Sequence, residues 1–360
     1  MSGYMNERFR ALDPTAGFRL GDLRSPAALA EGLRGSIIGQ DHAVDAVVRA
    51  MTIAAVGLRD PRRPIASLLL VGPTGVGKTE LARQVAHHVR GDADNLCRID
   101  MNSLAQEHYA ASLSGAPPGY AGSKEQFSLF DREMVEGTVS RPGVVLFDEV
   151  EKAHPTVLRA LLQIVDTGTL RLASGNSTID FRNAIILLTS NLGSRDVHDL
   201  QRPVARSPVG LLTSVARRFR GGSRSERDVV LNAVRAFFDP ELLNRFDEVI
   251  TFTSLDDTDA RRVVDAEVDH LIAALAARGV HATVTDRART QLVDAGFDAR
   301  YGARALHRVI RTELHAPIAT LLATADGGVL GHVVADAGSA GVSVTAAPVR
   351  AQATQNAHRP

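Results

Sequence analysis

The 360-residue sequence predicts an α/β fold: a doubly wound parallel sheet, then a smaller, mostly helical domain ending in a β-hairpin. Three observations predict it. Four short, mainly apolar runs, "SLLLV", "LCRI", "VVLF" and "AIILL", alternate with helical stretches, as expected of parallel strands buried on both faces. The first run leads directly into a glycine-rich loop that opens a helix. From about residue 254 the pattern changes to amphipathic helices and closes on two short alternating runs.

The elements follow in order. Residues 1–33 carry Gly, Pro and Arg without clear periodicity and are expected to form a loosely ordered lead-in. The large domain is expected over 34–253. In "DHAVDAVVRAMTIAAV", Val44, Val47, Val48 and Met51 share one helical face, with Asp41 as the expected N-cap. Further helices are expected at 79–90 and 155–166, between the strands. The smaller domain, 254–346, opens with an amphipathic helix over 258–278 (Val263, Val264, Val268, Leu271, Ile272, Leu275) stopped by Gly279. A short strand, "VHATVT", two more helices and the hairpin of "GHVVADAG" and "GVSVTAAP" complete it; 347–360 is expected to be a disordered tail.

Composition excludes several classes. Lys plus Arg equals Asp plus Glu, so no global field recruits nucleic acid or an anionic membrane. No apolar run is long enough to span a bilayer, and "MSGYMNERFRAL" has no apolar signal core, so a cytoplasmic protein is expected. Cys97 is the single cysteine and reads as a small core residue of a strand. Segment 195–227 holds eight arginines against three acids; a solvated loop is the ordinary meaning of such a run, and a binding surface the alternative.

The strongest chemical signal is Gly72-Pro73-Thr74-Gly75-Val76-Gly77-Lys78-Thr79, which fits G-x-x-x-x-G-K-[ST] between a buried strand and a helix. At average residue frequencies this pattern arises by chance in roughly one chain of this length in a hundred. Glycines let the backbone wrap closely around phosphate oxygens, so amide hydrogens and a helix N-terminus meet negative charge. Lys78 supplies a point charge at the β- and γ-phosphates, and the Thr79 hydroxyl can ligate magnesium. In "VVLFDEVEKAHP", Asp148 and Glu149 follow a buried strand, at the end where open α/β sheets hold their ligands. Asp148 can hold the magnesium through water, and Glu149 can polarise an attacking water. Asn191, at the end of "AIILLTSN", can position that water or the γ-phosphate. These residues point to ATP and Mg2+.

With these residues in place the chain resembles the Clp family of AAA+ ATPases, in particular the second ATPase module of the ClpB, ClpC and ClpA type. The resemblance runs from about Ile37 to the C-terminal hairpin. "IIGQDHAVDAV" is similar to the adenine-contacting entry segment, which makes Ile37 and Ile38 nucleotide contacts. "GAPPGYAG" resembles the pore loop, "LLTSNLGS" the first sensor with Asn191, "FFDPELLNRFDEVI" the arginine-finger segment with Arg245, and "YGARALHRVI" the second sensor with Arg304. The resemblance implies a homo-hexameric ring that hydrolyses ATP and threads unfolded or tagged polypeptide through a central pore. Gly119, Tyr120 and Ala121 would then form the gripping loop, with the Tyr120 ring as the contact. Arg245 would reach the γ-phosphate bound by the neighbouring subunit. Arg304 would sense nucleotide from the small domain.

The sequence also departs from that family. Nothing before Ile37 has the length of a further ATPase or substrate-binding domain, so a stand-alone module is expected, with recognition by the ring or an adaptor. After Gly122 the glycine- and glutamate-rich continuation is replaced by "SKEQFSLF", and the second pore-facing loop reads "LRLASGNSTIDF". Val209-Gly210-Leu211 resembles the tripeptide by which some members dock a Clp peptidase. A nucleic-acid-associated AAA+ ATPase, such as a helicase loader, is the alternative that the arginine-rich segment keeps open. A non-hydrolysing nucleotide switch is opposed by Glu149 and Arg245.

Overall fold

A computed structural model describes residues 26–106, 129–138, 141–171, 178–201, 225–324, 332–339 and 341–347. The chain divides into two compact units, Met1–Thr253 and Ser254–Pro360. Among the described residues no helix is long and apolar enough to cross a membrane.

The first unit is built on five parallel strands in the order β2-β3-β6-β1-β7: β1 (Ala66–Val71), β2 (Cys97–Asp100), β3 (Gly143–Asp148), β6 (Ala184–Ser190) and β7 (Glu248–Thr251). The three central strands are buried at every residue, which is why they read as unbroken apolar runs. Strand β2 differs from that expectation. It lies at the edge, and Cys97 and Ile99 are buried while Arg98 and Asp100 are exposed. Side chains alternate across a strand. Leu69, Val71, Cys97, Ile99, Val145, Phe147, Ile186 and Leu188 form one core with α5 (Pro155–Thr167) and α7 (Glu226–Phe237). The alternate residues therefore face the opposite side, where α2 (Asp41–Ala55) packs on β1 and α3 (Lys78–Arg90) packs on β3 and β6. Covering both faces makes the sheet doubly wound.

The entry to this unit departs from the sequence expectation at two points. Residues 26–33, expected in a loose lead-in, belong to helix α1 (Pro26–Ser36), because Leu29 and Leu33, one turn apart, are buried against α2 and α3. Asp41 is the first residue of α2 and not its N-cap; Gln40 takes the cap position and makes no side-chain cap. The Gln40 carboxamide is spent elsewhere: fully buried, it donates to Thr253 O at 2.9 Å and accepts from Thr253 N at 3.2 Å.

Short helices α4 (Arg132–Glu136) and α8 (Pro240–Leu243) precede β3 and β7, and between α5 and β6 lies a two-stranded antiparallel ribbon, β4 (Thr169–Arg171) and β5 (Thr178–Asp180). Helix α6 (Ser194–Gln201) ends where the described residues stop, so most of the arginine-rich segment lies outside them.

The second unit opens with α9 (Asp257–Ala276), started by a reciprocal capping box between Asp256 and Asp259. Helices α10 (Asp286–Gly296), α11 (Ala303–Ile310) and α12 (Ala316–Thr324) follow, with a single π turn at Arg311–His315 joining the last two. Strands β8 (His281–Val284), β9 (His332–Gly338) and β10 (Gly341–Ala347) form a sheet in the order β10-β9-β8. The hairpin of β9 and β10 is antiparallel, whereas β8 joins it in parallel.

Candidate functional site

The carboxyl ends of β1, β3 and β6 lie side by side, because Val71 is in register with Ser190 and Phe147 with Leu188. Each strand delivers one part of the site: Gly72–Thr79 from β1, Asp148 and Glu149 from β3, Asn191 from β6.

The loop after β1 is shaped by its neighbours as well as by its glycines. Gly72 has φ 145°, and a Cβ there would stand 2.4 Å from the carbonyl oxygen of Phe252. The first glycine thus lets the loop pass the chain that leaves β7, independently of any ligand. Gly77 has φ 101° with open space around it, so it is required only by its left-handed backbone, which caps α3. Lys78, 6% exposed, donates from Nζ to the carbonyl oxygens of Gly72 and Pro73. Its charge is held inside the loop that would wrap phosphate.

Strand alternation places Asp148 on the face covered by α3. Thr79 stands in the first turn of that helix, and its Oγ1 lies 3.3 Å from Asp148 Oδ1. Thr189 of β6 and Arg98 of β2 project to the same face. The Thr189 hydroxyl donates to Asp148 Oδ1, and the Arg98 guanidinium pairs with Asp148 Oδ2 at 2.5 Å. Asp148 itself is 6% exposed.

Glu149 has φ 59° and ψ 51°, and it is the non-glycine residue with positive φ among those described. Left-handed backbone costs an L-residue about 1–2 kcal/mol. A continued strand would send Glu149 to the face opposite Asp148. The left-handed turn ends the strand instead, and Glu149 Oε1 comes 3.4 Å from Asn191 Nδ2. Asn191 is held from three sides: its N–H donates to Glu151 Oε1 at 3.1 Å, and its Oδ1 lies 3.4 Å from Thr74 Oγ1. Residues from the loop, from β3 and from β6 are therefore joined in one hydrogen-bonded array.

Three further candidate positions belong to the first unit. Ile37 is buried, and Ile38 is half-buried in the turn between α1 and α2. Arg245 stands away from the array. Asp247 N donates to Ser67 O, which sets this segment level with the amino-terminal end of β1. Gly72 lies five steps beyond Ser67 along the chain, or about 17 Å at ~3.3 Å per strand residue. There Arg245 Nη1 pairs with Asp166 Oδ1 of α5 at 3.1 Å, and Arg63 holds its carbonyl oxygen.

In the second unit, Arg304 is exposed in the first turn of α11. Gly119, Tyr120 and Ala121, and Val209-Gly210-Leu211, lie outside the described residues.

With this geometry in view, the similarities to known proteins are specific. The family described as "AAA domain (Cdc48 subfamily)" matches residues 63–249, which include the loop, both acids and Asn191. The family described as "C-terminal, D2-small domain, of ClpB protein" matches 255–332. An "ATP-dependent protease ATP-binding subunit-like protein" of Rhodococcus erythropolis is 54% identical over 292 residues, 81% of either chain.

The chain belongs to the Clp-type AAA+ ATPases.

Other relatives agree. The "ATP-dependent protease ATP-binding subunit-like protein AmiB" of Pseudomonas aeruginosa is 43% identical over 297 residues, 82% of this chain and 78% of the relative. "Chaperone protein ClpB" of Rhodopirellula baltica is 40% identical over 81% of this chain, which spans only 31% of that chaperone. A closed-state cryo-electron-microscopy reconstruction of Hsp104 with ATPγS and FITC casein has a TM-score of 0.73 at 30% identity, covering 89% of this chain and 51% of Hsp104. This AAA+ module therefore binds nucleotide and hydrolyses ATP.

The donor set at Asp148 fits a nucleotide-bound magnesium. Mg2+ prefers hard oxygen ligands and is commonly held by one carboxylate and a hydroxyl, with phosphate and water completing the shell. Thr79 and Asp148 supply that pair of oxygens. No group of three or more His, Cys, Asp or Glu side chains among the described residues forms an all-protein metal cage.

The sequence motifs single out Asp148, Glu149 and Asn191 and assign no role to Thr189, Arg98 and Glu151, which hold Asp148 and Asn191. A threonine at the end of an otherwise apolar strand is a usable signal; Arg98 and Glu151 become informative only once the strands are paired.

Proposed function

We propose that this AAA+ module is an ATP-driven protein-remodelling motor that works as a homo-hexameric ring and draws unfolded or tagged polypeptide through its pore. The observation that carries the ring is the place of Arg245. It lies at the opposite end of the sheet from its own Lys78, so as an arginine finger it would serve the phosphates of a neighbouring subunit. The half-exposed pair with Asp166 is worth only about 0–1 kcal/mol, so it would not hold the guanidinium back.

In this reading the amides of Gly72–Gly77, Lys78 and the N-terminus of α3 hold the β- and γ-phosphates. Ile37 and Ile38 contact the adenine. Thr79 and Asp148 hold Mg2+, which when bound neutralises charge on those phosphates. Glu149 accepts a hydrogen bond from the attacking water, and Asn191 fixes the carboxylate and the water. Water oxygen bonds to the γ-phosphorus as the bond to the bridging oxygen of ADP breaks. Arg304 reports the nucleotide state to the second unit. Tyr120, between Gly119 and Ala121, grips the polypeptide. Two relatives are named ATP-dependent protease ATP-binding subunit-like proteins, which supports a Clp-type peptidase partner; Val209-Gly210-Leu211 would dock it.

Glu149→Gln tests the reading. The variant keeps side-chain shape and loses the carboxylate. With ATP it should sediment as a ring of about six subunits, retain polypeptide and fail to hydrolyse. A monomer under those conditions, or near wild-type turnover, would overturn it.

A further inference from the structure

The hydroxyl of Thr189 connects the two acids of β3. Thr189 is the penultimate residue of β6 and 2% exposed. A hydroxyl has one proton to give and two lone pairs to receive with. Here the proton goes to Asp148 Oδ1, and a lone pair receives the backbone N–H of Glu149 at 3.0 Å. The accepted N–H belongs to the residue whose backbone is left-handed, the conformation that brings the Glu149 carboxylate to Asn191. The accepting oxygen belongs to the carboxylate that faces Thr79.

We propose that Thr189 is a positioning residue for ATP hydrolysis: its single hydroxyl fixes the backbone turn that aims Glu149 and the orientation in which Asp148 meets Thr79. Removing it leaves a partly buried N–H and a buried carboxylate oxygen each without this partner, and such groups seek other partners by moving. A merely space-filling Thr189 would depend on its methyl group and not on its oxygen. The inference rests on the proposed role of Glu149.

The test uses the full chain with Thr189→Ala, Thr189→Ser and Thr189→Val beside Glu149→Gln. Steady-state ATPase rates, affinity for a fluorescent ATP analogue and thermal midpoints are measured for each. Ala and Ser both lack the threonine methyl and differ only by the hydroxyl. Thr189→Ala and Thr189→Val should lose kcat by at least about tenfold while nucleotide affinity changes less than about threefold, and Thr189→Ser should keep at least about half of the wild-type rate. Equal loss in Ser and Ala would assign the role to the methyl and overturn the proposal. So would turnover by Thr189→Ala within about twofold of wild type, or failure of both hydroxyl-free variants to fold while Thr189→Ser folds. If Glu149→Gln hydrolyses normally, the reading of Glu149 and this inference fall together. If Glu149→Gln is inactive and Thr189→Ala is unimpaired, only this inference falls.

Discussion

Arg245 and Asp166 form an ion pair of 3.1 Å at the amino-terminal end of the sheet, while the phosphate loop opens from its carboxyl end. If Arg245 is the proposed finger, one chain carries the two halves of a hydrolytic site on opposite sides. Arg245→Ala should leave nucleotide binding intact and lower ATPase activity by about a thousandfold. Lys78→Ala should weaken nucleotide binding itself. Mixing the two inactive variants is the decisive measurement. Rings that place a Lys78→Ala subunit's intact Arg245 against an Arg245→Ala subunit's intact loop should regain activity. A mixture as inactive as its components would show that Arg245 does not act across subunits.

Tyr120 should act on substrate and not on nucleotide. Tyr120→Ala is expected to keep ATPase activity and lose unfolding of a tagged fluorescent protein, and Tyr120→Phe, which keeps the ring, to retain most unfolding. Unfolding by Tyr120→Ala at the wild-type rate would remove the loop from the mechanism.

Gly72 is expected to matter for stability before it matters for phosphate. An added Cβ meets the Phe252 carbonyl at 2.4 Å, on a backbone with φ 145°. Gly72→Ala should lower unfolding free energy by about 2 kcal/mol or more in denaturant melts without nucleotide. Gly35→Ala is the control: it lies in α1 with open space around it and should be neutral or slightly stabilising. Equal midpoints for Gly72→Ala and wild type would contradict the close approach to Phe252.

Cys97 should be inert in the native protein. It is 5% exposed, and burial pushes its thiol above the usual range, so little thiolate forms near neutral pH. Thiol reagents should label it only as the first unit unfolds, giving a single-site probe of that unfolding. Rapid labelling under native conditions at pH 7–8 would place it outside the core.

Much of the fold was legible because buried parallel strands leave an unmistakable trace: β1, β3 and β6 are buried along their whole length, and all but a few of their residues are apolar. The loop at Gly72–Thr79 and the acids at 148 and 149 were legible for the same reason, since each follows such a strand. What stayed hidden depends on contacts between segments distant in sequence. Asp41 has the chemistry of an N-cap, but Gln40 is claimed by Thr253, and that fixes where α2 begins. Glu149 gives no local sign of a left-handed backbone, because the hydroxyl that receives its N–H comes from Thr189 on another strand. Arg98 sits in a run that reads as uniformly buried, yet β2 is an edge strand and Arg98 turns toward Asp148.

The Gln40–Thr253 pair gives the first unit a moored exit. Tension arriving along the chain from Ser254 meets the two hydrogen bonds to Gln40 before it reaches β7. Strand β7 then lies parallel to β1 from Glu248 to Thr251, so a pull along it loads the ladder in shear and not bond by bond as in peeling. The anchorage at Gln40 passes part of that load into α2, sparing the strand whose neighbour, β1, carries the phosphate loop.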